Sequence, residues 1–404
     1  MAQLSEVRRV AYVAPNRFPT EKAHGYQIMK MCDAMSRIGI EVTLFHPKRR
    51  QNDDALGRTN AFDYYGIDRS FGMEELPNVD VLRIERFVPS AVMPGLVTVQ
   101  SLLWARYAVG RAAKSAPDLY YTRDPAVAHW TTRRGLPTLF EIHGIPERVR
   151  KRWVVAALRR PRLERTAVLT TALERMVVDL GAPPSRVVVA PDGVDAARFR
   201  NLPDRSQARA HLSLPDDRPI VGYVGRFQTM GMEKGITDLI GAAARIEGAL
   251  RPRVLCVGGP LDGVPGYERY ASNVGLSRDD VVFHDRVPPS EVPLWIRACD
   301  VVTIPWPATN FSMYFTSPMK LFEYMAAGAA IVASDLPALR DVLRHEENAL
   351  LTPPDDVDGL ARTLQRLLSD YDLRLRIATR AQQESAGYEW TSRAARIFDR
   401  GVAA

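Results

Sequence analysis

The chain predicts an α/β fold made of two doubly wound, parallel-sheet (Rossmann-like) domains, on three observations. Its 404 residues are too many for one ordinary domain and suit two, each able to bury a real core. Short β-branched, apolar runs alternate along it with segments of helical periodicity. That alternation occurs twice, once on either side of the polar, proline-containing stretch 200–218, which follows the turn Pro191-Asp192-Gly193.

The elements follow in order. The first half offers strands at Val10–Ala14, Val42–Phe45, Val81–Ile84, Leu119–Thr122, Thr138–His143, Val168–Thr171 and Val187–Ala190. The second offers Ile220–Val224, Val254–Val257, Val281–His284, Val301–Ile304, Ile331–Ser334 and Ala349–Leu351. These runs are continuous more than alternating, as strands covered on both faces require. Between them, Ile28, Met31, Met35 and Ile38 recur at helical spacing, as do Val357, Leu360, Leu364 and Leu367. The domains read as 1–199 and 200–385, with 386–404 a last helix carrying Trp390, Ala394, Ile397 and Phe398 on one face. Ligands of doubly wound sheets bind beyond the carboxyl ends of the strands, so the loops there hold the candidate sites.

Composition narrows the class. Hydrophobic content of 46% and charged content of 25% are those of a soluble globular protein. Cys32, Cys256 and Cys299 lie far apart and form neither a disulfide framework nor a metal cluster, which suits a reducing cytoplasm. The apolar run Val10–Ala14 is too short for a signal peptide, and Leu96–Val109, broken by Gln100 and Arg106, is too short to span a bilayer. A net charge of +7 invites an anionic partner. The densest basic series runs from Arg148 to Arg165, with no zinc-finger spacing, RNA-binding signature or basic-zipper pattern beside it, so nucleic acid is not expected.

Four loops could carry chemistry. In 221–235 a strand ends at Gly225, Arg226 follows, and Lys234 opens a helix. Two cations at a strand–helix corner, beside free helix amides, make an anion site, and a diphosphate is the fitting anion. The bland alternative is two solvated surface charges. In 316–337, Thr316-Ser317-Pro318 reads as a helix start with a capping hydroxyl and an early proline, and Gly328 as its end. Glu323 lies about a turn inside that otherwise apolar helix, where a carboxylate must reach solvent or accept hydrogen bonds, as from ribose hydroxyls. His143 ends the strand Phe140-Glu141-Ile142, and Gly144 lets the chain turn. Gly25, after Ala23-His24, allows close backbone approach as the first helix begins. For His143 the structural alternative is an ordinary strand-end histidine.

With these residues in view, the chain resembles the glycosyltransferase family 4 group of retaining GT-B enzymes over nearly its whole length. The carrying motifs are Gly225-Arg226 with Lys234-Gly235, Pro191-Asp192-Gly193-Val194-Asp195, and above all Phe322-Glu323-Tyr324-Met325-Ala326-Ala327-Gly328 followed by Ile331-Val332-Ala333-Ser334. Asn348-Ala349-Leu350-Leu351 and Trp390 fit as well. The resemblance implies an N-terminal acceptor domain and a C-terminal nucleotide-sugar domain facing a cleft, the last helix returning to the first domain. It implies that Arg226 and Lys234 hold the donor diphosphate, Glu323 the ribose and His143 the transferred sugar, with Gly25 in a loop facing the donor phosphates. The donor would be a UDP-, GDP- or other nucleotide-sugar, the acceptor a sugar, glycan or lipid-linked molecule.

Two departures from the family pattern stand out. The family commonly carries a second glutamate with seven residues between the pair; here that place is Phe315, and Lys320 with the Thr316–Ser317 backbone would supply donor contacts instead. The Arg226–Lys234 loop is also long enough for Met230-Gly231-Met232 to act as a local lid. Asp356-Val357-Asp358 resembles a metal motif but opens an amphipathic helix after Pro353-Pro354, where acidic residues cap. No cofactor or metal is expected, the fixed cations neutralising the leaving diphosphate. The Arg148–Arg165 series, interleaved with Trp153, Val154, Val155 and Leu158, and the Leu96–Tyr107 stretch point to peripheral contact with an anionic membrane surface. The competing readings are a nucleotide-sugar epimerase on the same fold and a binding protein without catalysis.

Overall fold

The computed structural model describes residues 4–49, 54–81, 83, 87–229 and 231–401. The chain divides into two compact units, Met1–Pro191 with Trp390–Ala404, and Asp192–Glu389.

The first unit is built on seven parallel strands: β1 (Arg9–Val13), β2 (Glu41–Pro47), β3 (Gly72–Leu76), β4 (Leu119–Thr122), β5 (Thr138–Ile142), β6 (Leu163–Val168) and β7 (Val187–Val189). Their order is β3-β2-β1-β4-β5-β6-β7. The chain grows outward from β1 to β3, then returns to pair β4 on the other side of β1. The strand order reverses there, so the carboxyl ends of β1 and β4 flank a crevice no crossover covers. Every residue of β4 and β5 is buried, which explains the continuous apolar runs. The helix Ala23–Arg37 buries Ile28, Met31 and Met35 along the stripe the sequence predicts. The helix Trp390–Ile397 belongs to this unit and buries Trp390, Ala394 and Ile397, with Trp390 6.4 Å from the Tyr26 ring.

The second unit has six parallel strands, β8 (Ile220–Val224), β11 (Arg253–Val257), β12 (Val281–His284), β13 (Val301–Ile304), β14 (Ala330–Ser334) and β15 (Leu350–Thr352). Their order is β12-β11-β8-β13-β14-β15. A small antiparallel ribbon, β9 (Gln228–Thr229) with β10 (Met232–Glu233), stands in the loop after β8. Here the order reverses between β8 and β13. The helix Val357–Ser369 packs Leu360, Leu364 and Leu367 into this unit's core.

Several expectations need correction. No strand runs from Val168 to Thr171: β6 ends at Val168 and Thr170 caps the helix Thr171–Asp179, accepting from Leu173 N–H at 3.1 Å. The sequence hides β6 because Glu164 and Arg165 interrupt its apolar pattern; Arg162, two residues before, lies 3.5 Å from Glu164, and Asp399, distant in sequence, pairs with Arg165. The expected strand Val81–Ile84 lies partly outside the described residues, and the edge strand falls instead at Gly72–Leu76. Where the sequence reading divides the chain after residue 199, compactness divides it after Pro191, because Val194 and Phe199 already lie in the second unit's core. The helix expected from Thr316 starts at Met319, with no side-chain cap; the Ser317 hydroxyl instead accepts from Asp192 N–H at 2.8 Å.

Candidate active site

In the second unit, β8 is a buried strand that delivers Gly225 and Arg226 to the order reversal. Gly225 holds φ +148° and donates to the Val257 carbonyl at 2.7 Å. Any side chain there would press into Lys320, whose Cε would lie 2.6 Å from the added carbon. The Arg226 side chain is exposed and has no ion pair among the described residues. The ribbon β9–β10 then brings the chain back, closed by Lys234 N–H donating to Phe227 O at 3.1 Å. At Gly235, φ is +77° and a Cβ would overlap the Pro305 carbonyl, so only glycine permits this return beside β13.

The cations gather around an aromatic floor. Lys234 is 5% exposed, its ammonium 4.5 Å from the Trp306 ring centre and 5.0 Å from that of Phe311. Burial lowers its pKa. Lys320 lies 5.6 Å from the same Trp306 ring and 3.7 Å from that of Tyr223, and donates to the Tyr223 hydroxyl. Its pKa is pushed well down, first by burial and then by the neighbouring Lys234 charge. No carboxylate lies within ion-pairing distance of either lysine among the described residues. Two desolvated cations sharing one indole repel each other, and an anion would relieve both.

Glu323 is one helical turn after Lys320, its side chain 23% exposed and 4.0 Å from the Arg198 guanidinium. Burial raises its pKa, against the lowering by Arg198 and Lys320. Tyr324 faces the other way and pins the strand end: Val224 N–H donates to its hydroxyl at 2.8 Å, and the hydroxyl donates to Val224 O at 3.1 Å. Thr316 is buried, Ser317 is half-buried, and Phe315 caps the short helix Asn310–Tyr314. The structure therefore gathers Gly225, Lys234, Lys320 and Glu323 at the carboxyl ends of β8 and β13. Tyr223 and Trp306 belong with them although sequence reasoning passed over both. The Pro305-Trp306-Pro307 run directly after β13 was the available signal, carrying no charge to draw notice. Met230 lies outside the described residues, so of the expected lid only Gly231 and Met232 are placed, Met232 in β10. Asp356 caps its helix through Gly359 N–H at 2.8 Å, and Asp358 pairs with Arg245 at 2.5 Å.

In the first unit, His143 follows β5 by one residue, next to the carboxyl end of β4. Its Nε2 lies 2.5 Å from Glu141 Oε1 and its Nδ1 2.6 Å from Arg123 Nη2. A carboxylate only accepts and a guanidinium only donates, so the ring is neutral with its proton on Nε2. Burial and the Arg123 charge push its pKa down to about 4. His24, on the first turn of Ala23–Arg37, is pushed down to about 4 by burial and by Arg123 as well. Gly25 sits in that same helical turn rather than in a loop, with Tyr65 and Thr20 packed against it. Glu141 is buried between Arg393 (2.9 Å), His143 and the Tyr121 hydroxyl; despite burial, Arg393 first, then His143 and Arg123, hold its pKa far down.

A pH prediction follows. Both histidines bind protons less readily when folded than the unperturbed value of 6.5, so between about 6.5 and 4 the unfolded chain carries more protons. Stability from their neutral forms is full above that window and lost as pH falls through it, by at most about 1.4 kcal/mol per pH unit for each histidine. Urea midpoints measured from pH 7 to pH 4 should show this fall, and His24→Gln and His143→Gln should each flatten it. A slope unchanged in both variants would refute the assignment.

The basic series of the first unit is largely occupied internally. Arg150 pairs with Asp124 at 2.9 Å, Arg160 donates to His129 O at 2.7 Å, and Arg165 pairs with Asp399. Val154 and Leu158 are in the core. Exposed apolar side chains line the helix Met93–Ala112 instead: Val99, Leu103 and Tyr107 form one stripe, while Gln100, Trp104 and Ala108 face inward. With Val79, which is 80% exposed, they border an apolar groove of about 480 Å³. No helix among the described residues is long and apolar enough to cross a membrane.

Comparison with known proteins agrees with this architecture. Residues 218–370 match the family model described as "Glycosyl transferases group 1", and residues 25–198 the one described as "Glycosyltransferase Family 4". A D-inositol 3-phosphate glycosyltransferase of Nocardia farcinica is 32% identical over 241 residues, 57% of this chain and 51% of that protein. The chain spans about half the length of the curated relatives it matches. Among solved structures, sucrose-phosphate synthase from Thermosynechococcus elongatus superposes with a TM-score of 0.74 at 20% identity, covering 97% of this chain and 98% of the other. Anabaena HepE in complex with UDP gives 0.70 at 18%, with coverage of 97% and 98%. At such identities the likeness shows the fold.

Proposed function

The chain belongs to glycosyltransferase family 4 and has the GT-B architecture, and on that premise we propose that it is a retaining, metal-independent enzyme transferring a sugar from a nucleoside diphosphate to an acceptor. One observation supports the reading: Lys234 and Lys320 sit over a single indole beside Gly225 and Arg226, where the strand order reverses, with no carboxylate within ion-pairing distance of either among the described residues. A diphosphate supplies the missing charge. As the bond from the anomeric carbon to the phosphate oxygen breaks, negative charge grows on the diphosphate, and fixed cations stabilise it more than the ground state. The acceptor oxygen forms the new bond on the same face, and its proton passes to the departing phosphate oxygen. Glu323, near Arg198 and partly exposed, is read as the ribose contact and His143 as a contact to the transferred sugar. Solved HepE complexes with UDP and UDP-glucose support a nucleotide-sugar donor of the uridine class as the first to try.

The test is a mass-spectrometric panel of nucleotide sugars, with and without acceptors, run in excess chelator. Sugar transfer under chelator is expected. Activity that vanishes with chelator and returns with magnesium or manganese would overturn metal independence. Isomerised donor without acceptor would indicate an epimerase, and binding without turnover across the panel a non-catalytic protein.

Peripheral membrane contact is part of the proposal, placed at the outer face of Met93–Ala112, where Arg106, Lys114 and Arg134 lie beside the apolar stripe together with Glu75 and the Arg111–Glu74 pair. A lipid-linked acceptor is the acceptor class such contact suits. Cosedimentation with anionic vesicles is expected at low salt and to fade at high salt, since screening acts over about 8–10 Å. Val99→Glu/Leu103→Glu should weaken it at least about tenfold, because two side chains lose apolar burial. Arg150→Glu/Arg152→Glu/Arg159→Glu should matter less. The reverse ranking would return the contact to the arginine series.

A further inference from the structure

Arg123 leaves β4 at the point where the first unit's strand order reverses. It is half-buried, and its partners are unusual for a guanidinium: Nη1 donates to the Gln27 amide oxygen at 3.0 Å and Nη2 to His143 Nδ1 at 2.6 Å. Both partners are neutral. No carboxylate lies within ion-pairing distance of Arg123 among the described residues. The nearest acidic side chains are committed elsewhere. Asp124 caps the helix Pro125–Arg133 and pairs with Arg150, and Glu141 pairs with Arg393. His24 feels the Arg123, Lys22, Glu21 and Arg17 charges together, so these groups share one neighbourhood at the start of Ala23–Arg37. Of the five donors of Arg123, two are used; Glu141 and Arg123 feel each other's charge, but Glu141 is committed to Arg393, and Glu21 is committed to Arg17.

The second half of the observation is His143. Its two nitrogens are both engaged, Nε2–H by Glu141 and Nδ1 by Arg123. Glu141 is buried and fixed on three sides, so the Nε2 bond is permanent. The Nδ1 bond is exchangeable, because Arg123 spends a charged donor on a neutral acceptor and would gain more from an anion. A sugar hydroxyl can donate to Nδ1 only after Arg123 has left it.

We propose that Arg123 captures an anionic group, phosphate or carboxylate, carried by the sugar acceptor, and that this capture frees His143 Nδ1 to accept from a hydroxyl of the transferred sugar. The proposal rests on the glycosyl-transfer reading. It makes Arg123 a binding residue for the acceptor and a positioning residue for His143. An acceptor without the anion leaves His143 occupied, which builds discrimination between acceptors into the site.

The experiment uses the full chain with ¹⁵N-labelled histidine rings at pH 7 and inorganic phosphate as the probe. Free protein should show His143 protonated at Nε2 with Nδ1 hydrogen-bonded. Phosphate should shift Nδ1 of His143 and the ring of His24 in one saturable step. In Arg123→Gln, Nδ1 should begin in the released position, and phosphate should bind about ten- to a hundredfold more weakly, as loss of a charge-assisted pair implies. Arg123→Lys keeps the charge and should retain phosphate binding within about tenfold, which separates loss of the site from loss of the fold. A His143 signal indifferent to saturating phosphate, or equally responsive in Arg123→Gln, would overturn the proposal. So would UDP alone producing the same shift and blocking phosphate, since the anion would then be the donor's. Donor turnover by the wild type is measured separately, so an active enzyme that ignores phosphate sinks this proposal and leaves the functional one standing.

Discussion

Lys234→Ala and Arg226→Ala are each expected to lower turnover by about 10² to 10³, some 2.7–4 kcal/mol of transition-state stabilisation, while donor binding weakens less. The two losses should differ in kind. Arg226 is exposed and unpaired among the described residues, so its removal deletes charge and little packing. Lys234 is buried against Trp306 and Phe311, so alanine deletes charge and opens a gap between two rings. Lys234→Met refills the gap with an uncharged stem of similar length. It should regain stability without regaining rate. A second consequence concerns Lys320, whose pKa Lys234 holds down. Removing Lys234 should raise it and extend activity toward higher pH in whatever turnover remains. Near-normal turnover in both alanine variants, with a donor the wild type uses, would refute the phosphate assignment.

How much of this was legible beforehand varies with the source of each feature. The two sheets were, because parallel strands buried on both faces write themselves as apolar runs; β4, β8, β12 and β13 fall where the runs predict. The edge strand Gly72–Leu76 was not, since only Leu76 is buried and GMEEL carries no strand pattern. β6 failed for a related reason: Glu164 and Arg165 break its apolar pattern, and Arg165 is balanced by Asp399, distant in sequence. At the site, charged residues on glycine corners could be read, but the aromatic floor could not. Trp306 and Lys234 are 72 residues apart in sequence and meet only because β8 and β13 are neighbours in the sheet. The helix start at Thr316-Ser317 misled because a hydroxyl before proline suits a cap, whereas Ser317 serves the backbone of Asp192. The arginine series misled because charge density in sequence says nothing of partners. Asp124 and Asp399, which absorb Arg150 and Arg165, lie far from them along the chain.

Arg393→Met is expected to destabilise the first unit by about 3–5 kcal/mol, because it removes one member of a buried ion pair and strands the other. Arg393 and Glu141 have side chains only 2% and 4% exposed and meet at 2.9 Å. The guanidinium also donates to the carbonyl of Pro191 at 2.9 Å, so it ties the last helix both to β5 and to the end of β7's loop. Without it, Glu141 keeps the Tyr121 hydroxyl and His143 but loses the charge that most strongly holds its pKa down. The sign is then fixed. A carboxylate whose folded pKa is depressed contributes stability above its unfolded pKa and loses it as pH falls through the folded one. In Arg393→Met the folded pKa rises, so acid unfolding should begin at higher pH than in wild type. Arg393→Met/Glu141→Gln removes both charges and should recover most of the loss, giving a coupling energy well above the about 0.5 kcal/mol expected of independent sites. A chain of two units need not unfold in one step, so the readout is local: hydrogen exchange of the Thr138–Ile142 segment across a urea series. Were the single variant to exchange this segment no faster than wild type, the pair would be ornament to the fold and the fixed Nε2 bond of His143 would lose its anchor.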